Sequence, residues 1–86
     1  MSLREVKLLL RMGHTIRLER LRRRWTLDDL SQKTGFSRGK VRHVERGESK
    51  ISIIDLEIFS RALGISPSEL VACAEENAKI LERQGS

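Results

Sequence analysis

One six-residue pattern fixes where helices can begin in this chain: an apolar residue, Ser or Thr, two intervening residues, a charged residue, then a second apolar residue. It occurs as Trp25-Thr26-Leu27-Asp28-Asp29-Leu30, Phe36-Ser37-Arg38-Gly39-Lys40-Val41, Ile51-Ser52-Ile53-Ile54-Asp55-Leu56 and Ile65-Ser66-Pro67-Ser68-Glu69-Leu70. The hydroxyl residue suits the N-cap, where its oxygen accepts from an N–H with no intrahelical partner. The apolar pair suits a hydrophobic staple. Three copies put an acid at N3 (Asp29, Asp55 and Glu69), where it meets the positive end of the helix dipole. The second copy departs, with Arg38 at N1, Gly39 at N2 and Lys40 at N3. Each cation there costs about 0.3–1 kcal/mol, and glycine costs about 1 kcal/mol relative to alanine. A local rule broken in one of four equivalent places marks a functional position. Added positive charge at a positive helix end points to an anionic partner.

Helix stops match the starts. Gly35, Gly47 and Gly64 each follow a cap by about ten residues, as a C′ glycine does. Helices are expected at about 27–34, 38–46, 53–63 and 67–82. A further stretch, about 4–24, places Val6, Leu9, Leu10, Gly13, Ile16 and Leu21 on one face. Gly13 weakens or kinks it, so the stretch is one helix, or two with residues 3–11 as an arm. No segment alternates with period two over a useful length. The expected class is all-α, a five-helix domain with a helix-turn-helix at about 27–46. Eighty-six residues leave little room for a second core, so one domain is expected over 1–86.

Charge narrows the partner. Residues 1–50 carry +8 and residues 51–86 carry −3, making the net +5. That asymmetry suggests one face for a polyanion and another turned away. Aromatics are only 3% of residues, which disfavours single strands read by base stacking and leaves duplex DNA. Cys73 is the only cysteine, so a disulfide framework is excluded and a reducing compartment fits. No apolar run reaches membrane-spanning length, and Leu8–Leu10 is too short for a signal-peptide core. A cytoplasmic location and no membrane partner are expected. Ser/His/Asp and Cys/His sets, phosphate loops and metal-ligand clusters are missing, so no enzyme, cofactor or metal is expected.

The turn unit has a demanding spacing. Counting Leu27 as position one, Ser31 at five is small where helices cross, and Gly35 at nine suits positive φ. Leu30, Phe36, Val41 and Val44 supply the joint core at four, ten, fifteen and eighteen. With Ile16-Arg17, Trp25-Thr26, Val44-Glu45-Arg46-Gly47, Ser52-Ile53, Leu56, Ala62-Leu63-Gly64-Ile65 and Glu69-Leu70, the chain resembles the Cro/C1-type (Xre) helix-turn-helix family. The resemblance covers about residues 13–71, leaving an N-terminal arm at 1–12 and a C-terminal helix extension at 72–86. It implies the fold of lambdoid phage repressors. Small restriction–modification controller proteins and antitoxins belong to the same family.

The resemblance also implies roles. Arg38, Gly39 and His43 match base-reading positions, with Lys40 and Arg42 beside them. Thr26, Ser37 and Arg46 match positions that hold phosphates. Arg20 and Glu45 match a partly buried ion pair between the first and third helices. Arg38 at N1 suits bidentate bonding to guanine, whereas Lys40 and Arg42 suit phosphates. His43 either meets a base edge or packs on the second helix. Two departures stand out: Leu27 replaces a family Gln that supports the base reader, and Ile51 replaces a Pro.

The expected function is sequence-specific duplex-DNA binding by a transcriptional regulator that acts as a homodimer on a palindromic operator. The alternative is an antitoxin or other interaction module, and a coactivator-like bridge is a third class. A toxin or RNA polymerase would be the protein partner. Beyond Leu70, the residues Val71, Ala74, Ala78 and Leu81 form a stripe that needs cover. These four residues are the expected dimer interface, covered by a second copy; the alternative is that the stripe folds back on Leu9 and Leu10 of the same chain.

Overall fold

The computed structural model describes residues 2–85, and side chains through Asn77. It has five helices: α1 Leu3–Arg22, α2 Leu27–Thr34, α3 Arg38–Glu45, α4 Ile53–Leu63 and α5 Pro67–Gly85. No strand occurs among the described residues. No helix among them is long and apolar enough to cross a membrane.

All four capping patterns are realised. Thr26 Oγ1 accepts from the Asp29 N–H at 3.1 Å, and Asp29 Oδ2 accepts from the Thr26 N–H at 2.8 Å, completing a capping box. Those bonds from Thr26, its backbone N–H first, hold the Asp29 carboxyl below the usual carboxylate range. A lowered folded pKa adds stability above the ordinary Asp value, and that stability is lost as pH falls through the lowered one. Ser37, Ser52 and Ser66 accept from the N–H groups of Lys40, Asp55 and Glu69 at 3.1, 3.0 and 3.1 Å. Ser2 caps α1 in the same way, accepting from the Glu5 N–H at 3.2 Å. Each such cap contributes about 1 kcal/mol.

The staples build the core. Leu30, Val41 and Leu70 are buried with Ile16, Val44, Phe59 and Leu63. Trp25, Phe36, Ile51, Ile65 and Leu56 pack on that cluster half-buried. Every member of the four staple pairs therefore belongs to the core or its edge, and the caps that start the helices also aim them. Phe36 meets Phe59 with ring centroids 5.3 Å apart.

Three expectations are corrected. Residues 3–11 are not an arm, because α1 runs unbroken to Arg22. Gly13 does not kink it; an ideal Cβ there would lie 2.2 Å from the Val44 carbonyl oxygen and 2.7 Å from that of Glu45. The glycine instead permits α1 to cross the end of α3. Leu21, on the expected apolar face of α1, is 47% exposed. Ala74 is buried within the chain, because α5 packs against α1, where Asn77 Nδ2 donates to Thr15 Oγ1 at 3.1 Å. The fold-back on α1 is thus the arrangement for Ala74, while Val71 is exposed. The expectations for Ala78 and Leu81 concern side chains outside the described residues.

Two glycine substitutions should move stability in opposite directions. Gly13→Ala pushes a methyl into backbone oxygens and should cost about 1–3 kcal/mol despite its better helix propensity. Gly39, in the first turn of α3, has open space where its Cβ would be. Gly39→Ala should therefore stabilise by about 0.5–1 kcal/mol. In a domain of this size 1 kcal/mol shifts Tm by about 4–8 °C, so thermal melts separate the two. Equal shifts of one sign would refute the close crossing at Gly13.

Candidate nucleic-acid interface

The turn between α2 and α3 is pinned by short bonds. Gly35, at φ +78°, gives its N–H to the Ser31 carbonyl at 2.9 Å. Ser31 Oγ donates to the Phe36 carbonyl at 2.6 Å, and Thr34 Oγ1 accepts from the Phe36 N–H at 3.2 Å. Position five is therefore small and also a donor, tying α2 to the residue that staples α3. The result is a helix-turn-helix, with α3 turning the apolar side chains of Val41 and Val44 into the core.

An ion pair fixes α3 against α1. Arg20 Nε and Nη2 donate to Glu45 Oε2 and Oε1 at 2.7 and 3.0 Å, a bidentate pair. Arg20 Nη1 also donates to the Trp25 carbonyl at 2.8 Å. The two side chains are only 10% and 5% exposed. Such a pair is costly to break from one side, because the remaining charge stays buried.

The outward face of α3 carries Arg38, Gly39, Lys40, Arg42 and His43, all exposed, and Arg46 follows at its C-cap. Arg38, Arg42 and Arg46 line one polar groove with Arg17 of α1 and with Leu27. The side chains of Arg17 and Arg42 make no hydrogen bond or ion pair among the described residues. Arg38 Nη1 lies 3.7 Å from Asp28 Oδ1. His43 Nδ1 is 3.0 Å from Glu48 Oε2, so His43 turns to the chain beyond α3 and does not pack on α2. Arg46 Nη1 is 3.8 Å from Glu48 Oε1. The hydroxyls of Thr26 and Ser37 serve as caps at the near ends of α2 and α3. Convergent guanidinium groups of this kind are suited to phosphate and base-edge acceptors.

Lys40 has another task. Its ammonium is 3.4 Å from Asp55 Oδ1 and sits 4.1 Å from the centroid of the Phe36 ring. It braces α3 to the start of α4, which explains a cation tolerated at N3. Of the run Arg22-Arg23-Arg24, Arg23 is structural: it donates to the Glu19 carbonyl and, at 2.7 Å, to the Leu63 carbonyl at the end of α4. Arg17 was not among the expected site residues. Its signal was its spacing of three from Arg20, which puts both on the same side of α1.

A second surface is apolar. Leu8, Met12, Leu56 and Val71 line a groove bordered by Ile53, which is 84% exposed, and Ile54 beside it is 69% exposed. The staple of α4 spends Ile51 and Leu56 on the core, leaving N1 and N2 pointing out. Among the described residues no cluster of His, Cys, Asp or Glu could hold a metal ion.

Two variants divide structure from contact here. Glu45→Ala should cost about 3–5 kcal/mol by leaving Arg20 buried and unpaired. Lys40→Ala, which removes an exposed brace, should cost about 0.2–1 kcal/mol. Urea unfolding measures both, and near-equal losses would contradict the assigned burial of the Arg20–Glu45 pair.

Comparison with known proteins places this geometry. A family model described as a helix-turn-helix domain matches residues 11–72. A Neisseria meningitidis protein described as a hypothetical transcription factor is 27% identical over 70 residues, covering 81% of this chain; the chain spans 66% of that relative's length. The restriction-modification controller protein C.AhdI of Aeromonas hydrophila superposes with a TM-score of 0.69 at 31% identity, over 72% of this chain and 94% of its own. The clp gene regulator ClgR of Corynebacterium glutamicum superposes at 0.83 with 26% identity, over 91% of this chain and 83% of its own. The chain belongs to the helix-turn-helix family, and to the Cro/C1-type (Xre) regulators within it.

Proposed function

We propose that this protein is a sequence-specific duplex-DNA-binding transcriptional regulator that works as a homodimer on a palindromic operator. The observation that carries the reading is the groove of Arg17, Arg38, Arg42 and Arg46 beside an α3 whose outward residues are exposed. Similar proteins described as a restriction-modification controller and a clp gene regulator support the regulatory role. Arg38 and His43 read base edges, and Gly39 lets the backbone approach them. Thr26, Ser37, Arg42 and Arg46 hold phosphates, joined by Arg17. Lys40 contributes charge from its brace on Asp55. The first-turn N–H groups of Arg38 and Gly39 have no intrahelical acceptor and add to the anion-binding end.

The homodimer uses the apolar groove rim, with Val71 from the expected stripe and Ile53 and Leu8 beside it. Exposed apolar side chains clustered in this way mark association surfaces. That same rim is what favours the second reading, an interaction module bound chiefly to another protein.

Selection from random duplexes gives the operator, and anisotropy titrations test the roles. Arg38→Ala should lose about 1–3 kcal/mol on the operator and relax preference at one base pair. Arg42→Ala should weaken all duplexes alike and flatten the salt slope by about one. Sedimentation should find a dimer that Ile53→Glu dissociates. A monomer that recovers no preferred site would sink the proposal in favour of the interaction module.

A further inference from the structure

Two carboxylates stand against the cations of α3. Asp28 meets Arg38 at 3.7 Å. Glu48 takes both His43 at 3.0 Å and Arg46 at 3.8 Å. Asp28, in the first turn of α2, suits the helix dipole, but neither acid is needed to complete a cap or to fill the core. The cap of α2 is completed by Asp29, so Asp28 is surplus to it. Glu48 lies just past the C-terminal end of α3, where the helix dipole disfavours an anion. The pairs are open to water: Asp28 is 65% and Glu48 46% exposed, unlike the buried Arg20–Glu45 pair. Exposed pairs contribute little to stability. Arg17 and Arg42, on the same groove, have no such acid among the described residues.

We propose that Asp28 and Glu48 are specificity-determining residues, whose carboxylates occupy Arg38, His43 and Arg46 in place of phosphates and so weaken binding to the wrong duplex. The inference rests on the duplex-DNA reading above. Binding to an arbitrary sequence comes almost wholly from phosphate contacts. A carboxylate on the same face competes for the cation and repels the approaching backbone. On the operator, base-edge bonds to Arg38 and His43 offset that loss. Discrimination is a difference of two affinities, and it widens when the wrong partner is penalised more than the right one. Asp28 also stands next to Leu27, where the family's supporting Gln is missing. The acid holds the Arg38 guanidinium near the groove in its stead.

The test compares the selected operator with a scrambled duplex of equal length, by anisotropy across a salt series. The proteins are wild type, Asp28→Asn, Glu48→Gln, the double variant and Glu57→Gln. Glu57 pairs with Arg61 on α4, outside the groove, and its variant makes the same change in net charge. Each of Asp28→Asn and Glu48→Gln should tighten the scrambled duplex by about three- to tenfold and steepen its salt slope by about one. The operator should gain less, so the specificity ratio falls, while Glu57→Gln changes the scrambled duplex less than about twofold. Gains no larger than those of Glu57→Gln, or equal gains on both duplexes, would overturn the inference while leaving the duplex reading intact. Absence of binding by every variant on every duplex would overturn both. Melting curves confirm that the variants are folded.

Discussion

The crossing of α1 over the end of α3 sets everything else. It is close enough that position 13 has no room for a Cβ against the Val44 and Glu45 carbonyl oxygens. Two turns along α1, Arg20 grips the Glu45 side chain with two bonds and the Trp25 carbonyl with a third. One helix thus holds Glu45 by backbone and side chain together, and reaches the staple of α2 as well. An eight-residue helix like α3 is marginal in isolation. The clasp gives it a fixed position and a fixed rotation about its own axis. With Val41 and Val44 turned inward, the outward set is decided.

The basic excess divides by task. Arg20 closes the clasp, Arg23 ties α1 to the end of α4, and Lys40 ties α3 to the start of α4. These cations bear on the fold, each facing a carboxylate or carbonyl at short range. Arg17 and Arg42 have no such partner among the described residues, and they share a groove with Arg38 and Arg46. A count of lysines and arginines overstates the surface open to a polyanion. What matters is the convergence of the unspent ones, and it falls beside α3.

The helix starts were legible because a cap is a local device. A hydroxyl, its acceptor geometry and a staple pair all lie within six residues. α2 and α4 run over the residues expected, 27–34 and 53–63, and α3 ends one residue earlier than expected. The chain also opens with Met1-Ser2-Leu3-Arg4-Glu5-Val6, a fifth copy of the pattern, and Ser2 does cap α1. Gly13 was misread for the opposite reason. Propensity penalises glycine in a helix, and only a neighbour 32 residues later in the chain, Glu45, explains why it is needed. Ala74 follows the same logic: its stripe was visible, but whether α1 or another copy covers it is a tertiary fact. Among the site residues, the resemblance supplied the positions. The partners Asp28, Glu48 and Asp55, which set how each cation is held, needed coordinates.

Because the grip on α3 comes from Val41, Val44 and Glu45, with Lys40 as a brace, its other outer positions are free of packing duty. Position 39 is open space, and 38, 42 and 43 face outward. Side chains there can change without disturbing the core, so one scaffold serves many sequences. The same economy limits what one copy reads. If Arg38 and His43 read bases as proposed, two contacts at about 1–3 kcal/mol each give discrimination at the low end of the roughly 4–10 kcal/mol that separates specific from non-specific binding. Symmetric pairing doubles the readout with no new recognition chemistry. The apolar rim of Leu8, Ile53 and Val71, on α1, α4 and α5, shares no residue with the groove of Arg17, Arg38, Arg42 and Arg46. On the proposed reading, a second copy seated there covers none of the groove residues, so pairing and duplex contact are compatible.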